Sequence, residues 1–285
     1  MSEVDLRFGP MLIGVLLNMM LYGVVVTQMF TYYQRYTNDS AWIRYLMLYL
    51  LIVETANVVN QCGIIFEPLI IRYGTPTAIN KIPKLLPADT ILISIVSAPI
   101  QLFAAWRIRV ITRAFILPGL VALLSLGAFG CGVNMSIKVY LASEFRNFGT
   151  LAEQAIVWLA LSAACDVVIA VGLTHALYTR KTGFSVVDGQ INRIIRLTLE
   201  TGAFTALDAL GNVMLFLVLP ETNVNFIAAF PLSALYTCSI LAMMNSRERR
   251  KTPDVEKATH TKPQGNHAQT SIVVSKFEAG VCCDN

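Results

Sequence analysis

The sequence predicts an all-α, polytopic membrane protein with seven transmembrane helices, the N-terminus outside and the C-terminus cytoplasmic. Three observations predict it. Of 285 residues, 55% are hydrophobic and only 14% charged, with a mean hydropathy of +0.59, which leaves too little polar surface for a water-soluble globule. Seven apolar runs approach the roughly 20 residues that a helix needs to cross a bilayer. Basic residues also fall unequally between alternate loops, as they do when one side faces the cytoplasm.

The runs cover residues 10–33, 42–66, 90–106, 115–137, 155–178, 197–219 and 224–244. The first, fourth and seventh carry no charge. The second is interrupted by Glu54, and the third is the shortest, with Pro99 inside it. The fourth holds Gly127, Ala128, Gly130 and Gly132, small residues suited to close helix contact. The fifth carries Asp166, the sixth Asp208, and the seventh has Pro231 near its start. Residues 1–9 form a short extracellular segment without a basic n-region, and the first run is too long for a signal peptide, so it should remain as an anchor.

Orientation follows from the loops. One set holds Arg35, Arg44, Arg107, Arg109, Arg113, Arg180, Lys181, Arg193, Arg196, Arg247, Arg249, Arg250 and Lys251, which is 13 basic residues. The other holds Arg7, Arg72, Lys81, Lys84, Lys138 and Arg146, which is 6. The richer side is the cytoplasmic one. Tyr32, Tyr33, Trp42, Tyr45, Trp106 and Tyr178 cluster there as an aromatic belt would. The transmembrane domain thus spans 10–244. Residues 245–285 change abruptly to a polar composition that cannot bury enough apolar surface to fold, and read as a disordered cytoplasmic tail. Its terminal Cys282 and Cys283 are acylation candidates. The six cysteines form no CxxC pair and no disulfide framework; Cys131, Cys165 and Cys238 read as small apolar helix residues.

The carboxylates inside the runs are the chemical signal. A charge at the bilayer centre costs at least about 2.5 kcal/mol, and no Lys or Arg lies at the depth of Glu54, Asp166 and Asp208. These acids must be protonated, hydrogen-bonded or exposed to a watery cavity. Partners follow at helical spacing: Asn57 and Gln61 after Glu54, Asn212 after Asp208. Asn18, Ser94, Ser97, Gln101, Ser125 and Ser162 add polar groups from other helices. One reading is a polar pocket or proton/cation path built from Glu54, Asn57, Asp166, Asp208 and Asn212. The other is a hydrogen-bonded knot that fixes helix packing. Arg196 and Glu200, one turn apart, read as an ordinary ion pair.

Several chemistries are excluded. Three histidines, two of them in the tail, are too few for a zinc hydrolase with intramembrane His ligands. The seventh run has no Lys for a retinal Schiff base, and no G-x-S-x-G, H-E-x-x-H or phosphate-cradling loop is present. No enzymatic activity and no cofactor or metal is expected. Nor is a nucleic-acid partner, since no basic face interleaved with aromatics occurs on a soluble segment.

FGP (8–10), TYYQRYTND (31–39), WIRYLMLYLLIVETAN (42–57), PIQLFAAWRI (99–108), SAACDV (162–167), TRKTGF (179–184), INRIIRLTLETG (191–202) and FPLSALYTCSILAMMNSRE (230–248) together resemble a family of seven-span membrane proteins of mushroom-forming (basidiomycete) fungi. That family is named only as a domain of unknown function. The resemblance covers about the first 250 residues of the sequence and implies a multi-pass fungal membrane protein, but it supplies no ligand or catalytic residue. The odd span count and the basic cytoplasmic loops favour a receptor-like sensor in the plasma membrane. Its cytosolic signalling partner would meet Arg107, Arg109, Arg180, Lys181 and Arg193. The alternative is a small-solute or proton-coupled transporter, for which Glu54-Thr55 and Glu200-Thr201 would occupy equivalent places in a repeat. A structural or assembly subunit without a ligand is the third reading.

Overall fold

The computed structural model describes residues 3–73, 75, 81–142, 152–179 and 223–247, and between them residues 189, 192, 193, 195, 196, 198–200, 202–204, 207, 211, 214 and 215. Among these residues the fold is all-helical. Helix α1 is Glu3–Arg35 and α2 is Ala41–Phe66, continued by a π-helical turn, Glu67–Ile71. Helix α3 is Leu86–Thr112, α4 Ile116–Ala142 and α5 Ala152–Tyr178. The chain ends its described part in a short α6, Phe226–Ala229, and α7, Leu232–Asn245. Six helical segments of the described residues are long and apolar enough to cross a membrane, an architecture compatible with a polytopic membrane protein. The sixth predicted run has described residues that are helical, but as a span it lies outside the described residues, as do Asp208, Asn212 and the tail beyond Arg247.

Side-chain contacts fix the directions. Asn223 with Met11, Cys238 with Leu21 and Asn245 with Gln28 advance together, so α1 runs parallel to α7. Gln61 with the Phe230 carbonyl and Asn57 with Ser233 run in opposite order, so α2 is antiparallel to α7. Ser136 with Pro87 and Ser125 with Ala98 make α4 antiparallel to α3. The turn between those two is only three residues, and Arg113 closes α3 in the left-handed region at φ 56°, its N–H on the Arg109 carbonyl. Helix α5 runs with α7, Ser162 meeting Tyr236 near one level and Leu173 and Leu177 clustering with Met243 further along.

Outward faces are apolar. Met20 is 72% exposed and Ile116 is 89% exposed, as side chains on a hydrocarbon-facing surface would be. Inside, one core of Met47, Leu50, Val96, Phe103, Ile240 and Leu241 fills the end near Arg247, and a second around Phe8, Met11, Ile64 and Phe230 fills the other.

A proline and a helix break each leave a carbonyl that another helix satisfies. Pro99 has no N–H to give the Ile95 carbonyl one turn back. Tyr49 of α2 donates its hydroxyl there at 3.1 Å. Pro231 separates α6 from α7, and the Phe230 carbonyl at that break accepts from Gln61 at 3.0 Å.

The structure differs from expectation in three places. Helix α3 is longer than the run 90–106: Pro87 starts it a turn earlier, so Asp89 is buried in its first turn, and the helix continues past Arg107 and Arg109. Of the small residues in α4, Gly132 and Ala128 pack inward. A Cβ on Gly132 would overlap the Ser94 hydroxyl, whereas Gly127 and Gly130 face open space. Tyr32 is not at a lipid interface but wholly buried, stacked on Tyr36 with ring centroids 5.7 Å apart.

Candidate functional site

Two groups of buried polar side chains flank α7. The first joins α1, α2, α3 and α7. Gln61, fully buried, makes three hydrogen bonds: its amide N–H groups go to Asp89 Oδ1 at 2.9 Å and to the Phe230 carbonyl, and its oxygen accepts from Asn18 at 2.8 Å. One and two turns along the same face, Asn57 donates to Ser233 Oγ at 2.7 Å, and Ser233 in turn donates to Glu54 Oε1 at 3.1 Å. The i, i+3, i+7 spacing of Glu54, Asn57 and Gln61 puts all three on the stripe that faces α7.

The second group joins α3, α5 and α7. Tyr236 donates to Asp166 Oδ2 at 2.6 Å, so the Ser162 hydroxyl, 3.0 Å away, is the donor to the Tyr236 oxygen. Gln101 donates to Asp166 Oδ1 at 3.0 Å. This group borders a cavity of about 60 Å³ lined by Gln101, Asp166, Thr198, Tyr236 and Ser239 on its polar side and by Phe103, Ile169 and Met243 on its apolar side. Such a volume holds a few waters or a small ion.

The sequence-derived candidates therefore separate. Glu54 and Asn57 belong to the first group and Asp166 to the second. The two acids sit on opposite flanks of α7, and Asp166, not Glu54, lines the cavity. Asp208 and Asn212 lie outside the described residues. Four contributors escaped the sequence reading. Asp89 was clipped by its position at a helix start, while Ser233, Tyr236 and Thr237 form a polar stripe at i, i+3, i+4 in an otherwise apolar run. That stripe was a usable signal.

The far end of α7 is tied down. Arg247 forms an ion pair with Asp39 in the α1–α2 turn and lies over the Tyr36 ring at 4.6 Å. Tyr36 donates to the Arg247 carbonyl, Tyr32 donates to Asp39 Oδ2 at 2.9 Å, and Asn245 donates to the Gln28 carbonyl at 2.8 Å. Burial pushes the Tyr36 phenol above its ordinary value, with the Arg247 charge opposing.

Around this end the expected partner surface is smaller than the sequence suggests. Arg107 is 2% exposed and reaches inward to the Met243 sulfur, because its long side chain lies along the α3–α7 seam instead of projecting outward. Arg109 stays exposed, stacked over Phe115, and Arg193 is exposed. Arg180 and Lys181 lie outside the described residues. Arg196 pairs with Glu200 at 2.7 Å, which holds its guanidinium above the ordinary value, and beside it a cavity of about 530 Å³ is lined by Arg35, Arg193, Gln28 and Asn245. The described cysteines, Cys62, Cys131, Cys165 and Cys238, are free thiols. Among the described residues no cluster of His, Cys, Asp and Glu is arranged to hold a metal ion.

No curated protein and no solved structure matches the chain. Residues 162–249, which include Asp166, Ser233, Tyr236 and Arg247 but neither Glu54 nor Asp39, are similar to the family described as "Family of unknown function (DUF6534)".

Proposed function

We propose that this chain is a receptor-like sensor of the plasma membrane, of a fungal seven-span family, in which a small solute or ion at the Asp166 cavity acts through α7 on a cytoplasmic partner. The observation that carries this reading is the reach of α7. Tyr236 sits on the cavity acid, and 11 residues further on, just past the end of the same helix, Arg247 sits in the clamp with Asp39 and Tyr36. A change in what Asp166 accepts would bias one rigid element whose other end borders the basic surface of Arg109 and Arg193.

A seventh crossing is supported by direction. Helices α5 and α7 run the same way, which favours a return crossing in the sequence between them. The excess of basic residues at the Arg247 end supports an outside N-terminus, a transmembrane domain over 10–244 and a cytoplasmic tail. No catalytic role and no cofactor enters this reading.

The second reading is a small-solute or proton-coupled transporter. The break at Phe230–Pro231 favours it, since interrupted helices with carbonyls turned into a polar interior are how transporters place their sites. Two experiments separate the readings. A sensor gives ligand- or pH-dependent crosslinking of the Arg193 segment to cytosolic protein, lost in Asp166→Asn. A transporter gives uptake in proteoliposomes that falls with Glu54→Gln or Asp166→Asn. Unchanged crosslinking in Asp166→Asn sinks the sensor reading.

A further inference from the structure

The group around Glu54 has an excess of acceptors. Glu54 Oε2, Asn57 Oδ1 and Asn18 Oδ1 are each buried without a hydrogen-bond partner among the described residues, on side chains that are 0%, 0% and 1% exposed. Thr237 Oγ1 is likewise buried and unpartnered on a residue that is 0% exposed. The antiparallel register places it beside Glu54: Gln61 meets Phe230 and Asn57 meets Ser233, so the next step down α2, Glu54, comes level with Thr237. Gln61 commits both of its amide N–H groups, Asn18 and Asn57 commit one each, to Gln61 and Ser233, and the Ser233 hydroxyl is committed to Glu54. Burying a carboxylate with three further orphaned oxygens is costly in any apolar medium.

One proton on Glu54 would satisfy a single oxygen and leave the amide oxygens bare. A cation satisfies several at once and balances the charge. The set is all oxygen, which selects a hard ion. The ligands include one carboxylate and otherwise neutral donors, the second acid of the group, Asp89, being held by Gln61 two turns away, and this suits a single positive charge better than the carboxylate-rich cages of divalent ions. We infer that Glu54, Asn57 and Thr237, with Ser233 beside them, form a binding site for a monovalent metal cation of sodium size. The site is separate from the Asp166 cavity and rests on neither functional reading above, since a sensor would use the ion to set its resting state and a transporter to drive flux.

The test uses the full chain in detergent or nanodiscs, with thermal unfolding followed in sodium, potassium or choline chloride at constant ionic strength. Wild type should show a saturable rise in Tm with sodium, roughly 5–10 °C at about 100-fold over the dissociation constant, and a smaller rise or none with choline. Glu54→Gln keeps an oxygen for Ser233 and adds an N–H donor toward the free acceptors, so it should fold and lose the sodium response. Thr237→Val should weaken the apparent sodium affinity several-fold, and Asp166→Asn should keep the response. Equal Tm values in all three salts overturn the site. So does a sodium response that survives Glu54→Gln. A pH-dependent Tm abolished by Glu54→Gln without any sodium effect would identify the occupant as a proton and overturn it equally.

Discussion

Tyr236 donates its phenolic hydrogen to Asp166 across 2.6 Å, and this contact binds the acid in the middle of α5 to the helix that carries the clamp. Interhelical hydrogen bonds in membranes average about 0.6 kcal/mol, but removing one partner of a buried carboxylate leaves that group and Ser162 both short of a bond. The larger figure governs here. Tyr236→Phe is expected to destabilise the chain by about 2 kcal/mol in reversible detergent unfolding. Asp166→Asn in the Tyr236→Phe background should cost less than in wild type, with a coupling of about 1 kcal/mol. Additive effects would mean the bond contributes nothing.

Helix α1 packs so closely on the α6–α7 break that a Cβ on Gly14 would overlap the Phe226 carbonyl oxygen, a backbone atom that cannot swing aside. Gly23 on the same helix meets nothing within 4 Å. Gly14→Ala should therefore lower stability by roughly 1–3 kcal/mol, the range for overpacking, while Gly23→Ala should be neutral or slightly stabilising through helix propensity. Melting curves of the two variants decide it; equal behaviour would contradict the packing.

At Pro99 the expected cost depends on the background. Tyr49→Phe removes the donor to the Ile95 carbonyl and should cost about 1 kcal/mol. In a Pro99→Ala background the helix supplies its own N–H, so the same substitution should cost almost nothing. A Tyr49→Phe penalty that is the same in both backgrounds would show that this hydroxyl does not replace the missing helical donor.

The clamp at the end of α7 should be sensitive to alkali. Tyr36 has its folded pKa raised above 10.0 chiefly by burial, so the fold favours the neutral phenol. Stability from this group is present below pH 10.0 and is lost as pH rises through the higher folded value. Absorbance at tyrosinate wavelengths should show a late-ionising step to which Tyr36 contributes, coincident with loss of the Asp39–Arg247 pair. Tyr36→Phe should reduce the amplitude of that step by one phenol and abolish its link to the loss of the ion pair. An unchanged alkaline profile would show that Tyr36 does not ionise late.

The helices were legible because hydrocarbon-length runs leave no alternative for the backbone. The boundaries of α3 were not, since hydropathy stops at Asp89 and Arg107 whereas the helix continues and buries both. Glu54 and Asp166 were visible as acids out of place, and Asn57 by its spacing. Their assignment to opposite flanks of α7 was invisible, because it depends on which way Ser233 and Tyr236 point once that helix is docked. The Asp39–Arg247 pair joins residues 208 positions apart and leaves no local trace.

The central claim is that α7 transmits the state of the Asp166 group to the clamp. Hydrogen exchange on the full chain in nanodiscs, comparing wild type with Tyr236→Phe, tests it most directly. The account predicts faster exchange not only beside the substitution but also at the amides of residues 36–44, whose turn bonds the clamp holds. Acceleration confined to the neighbourhood of Asp166 and Tyr236, with residues 36–44 as protected as in wild type, would contradict it.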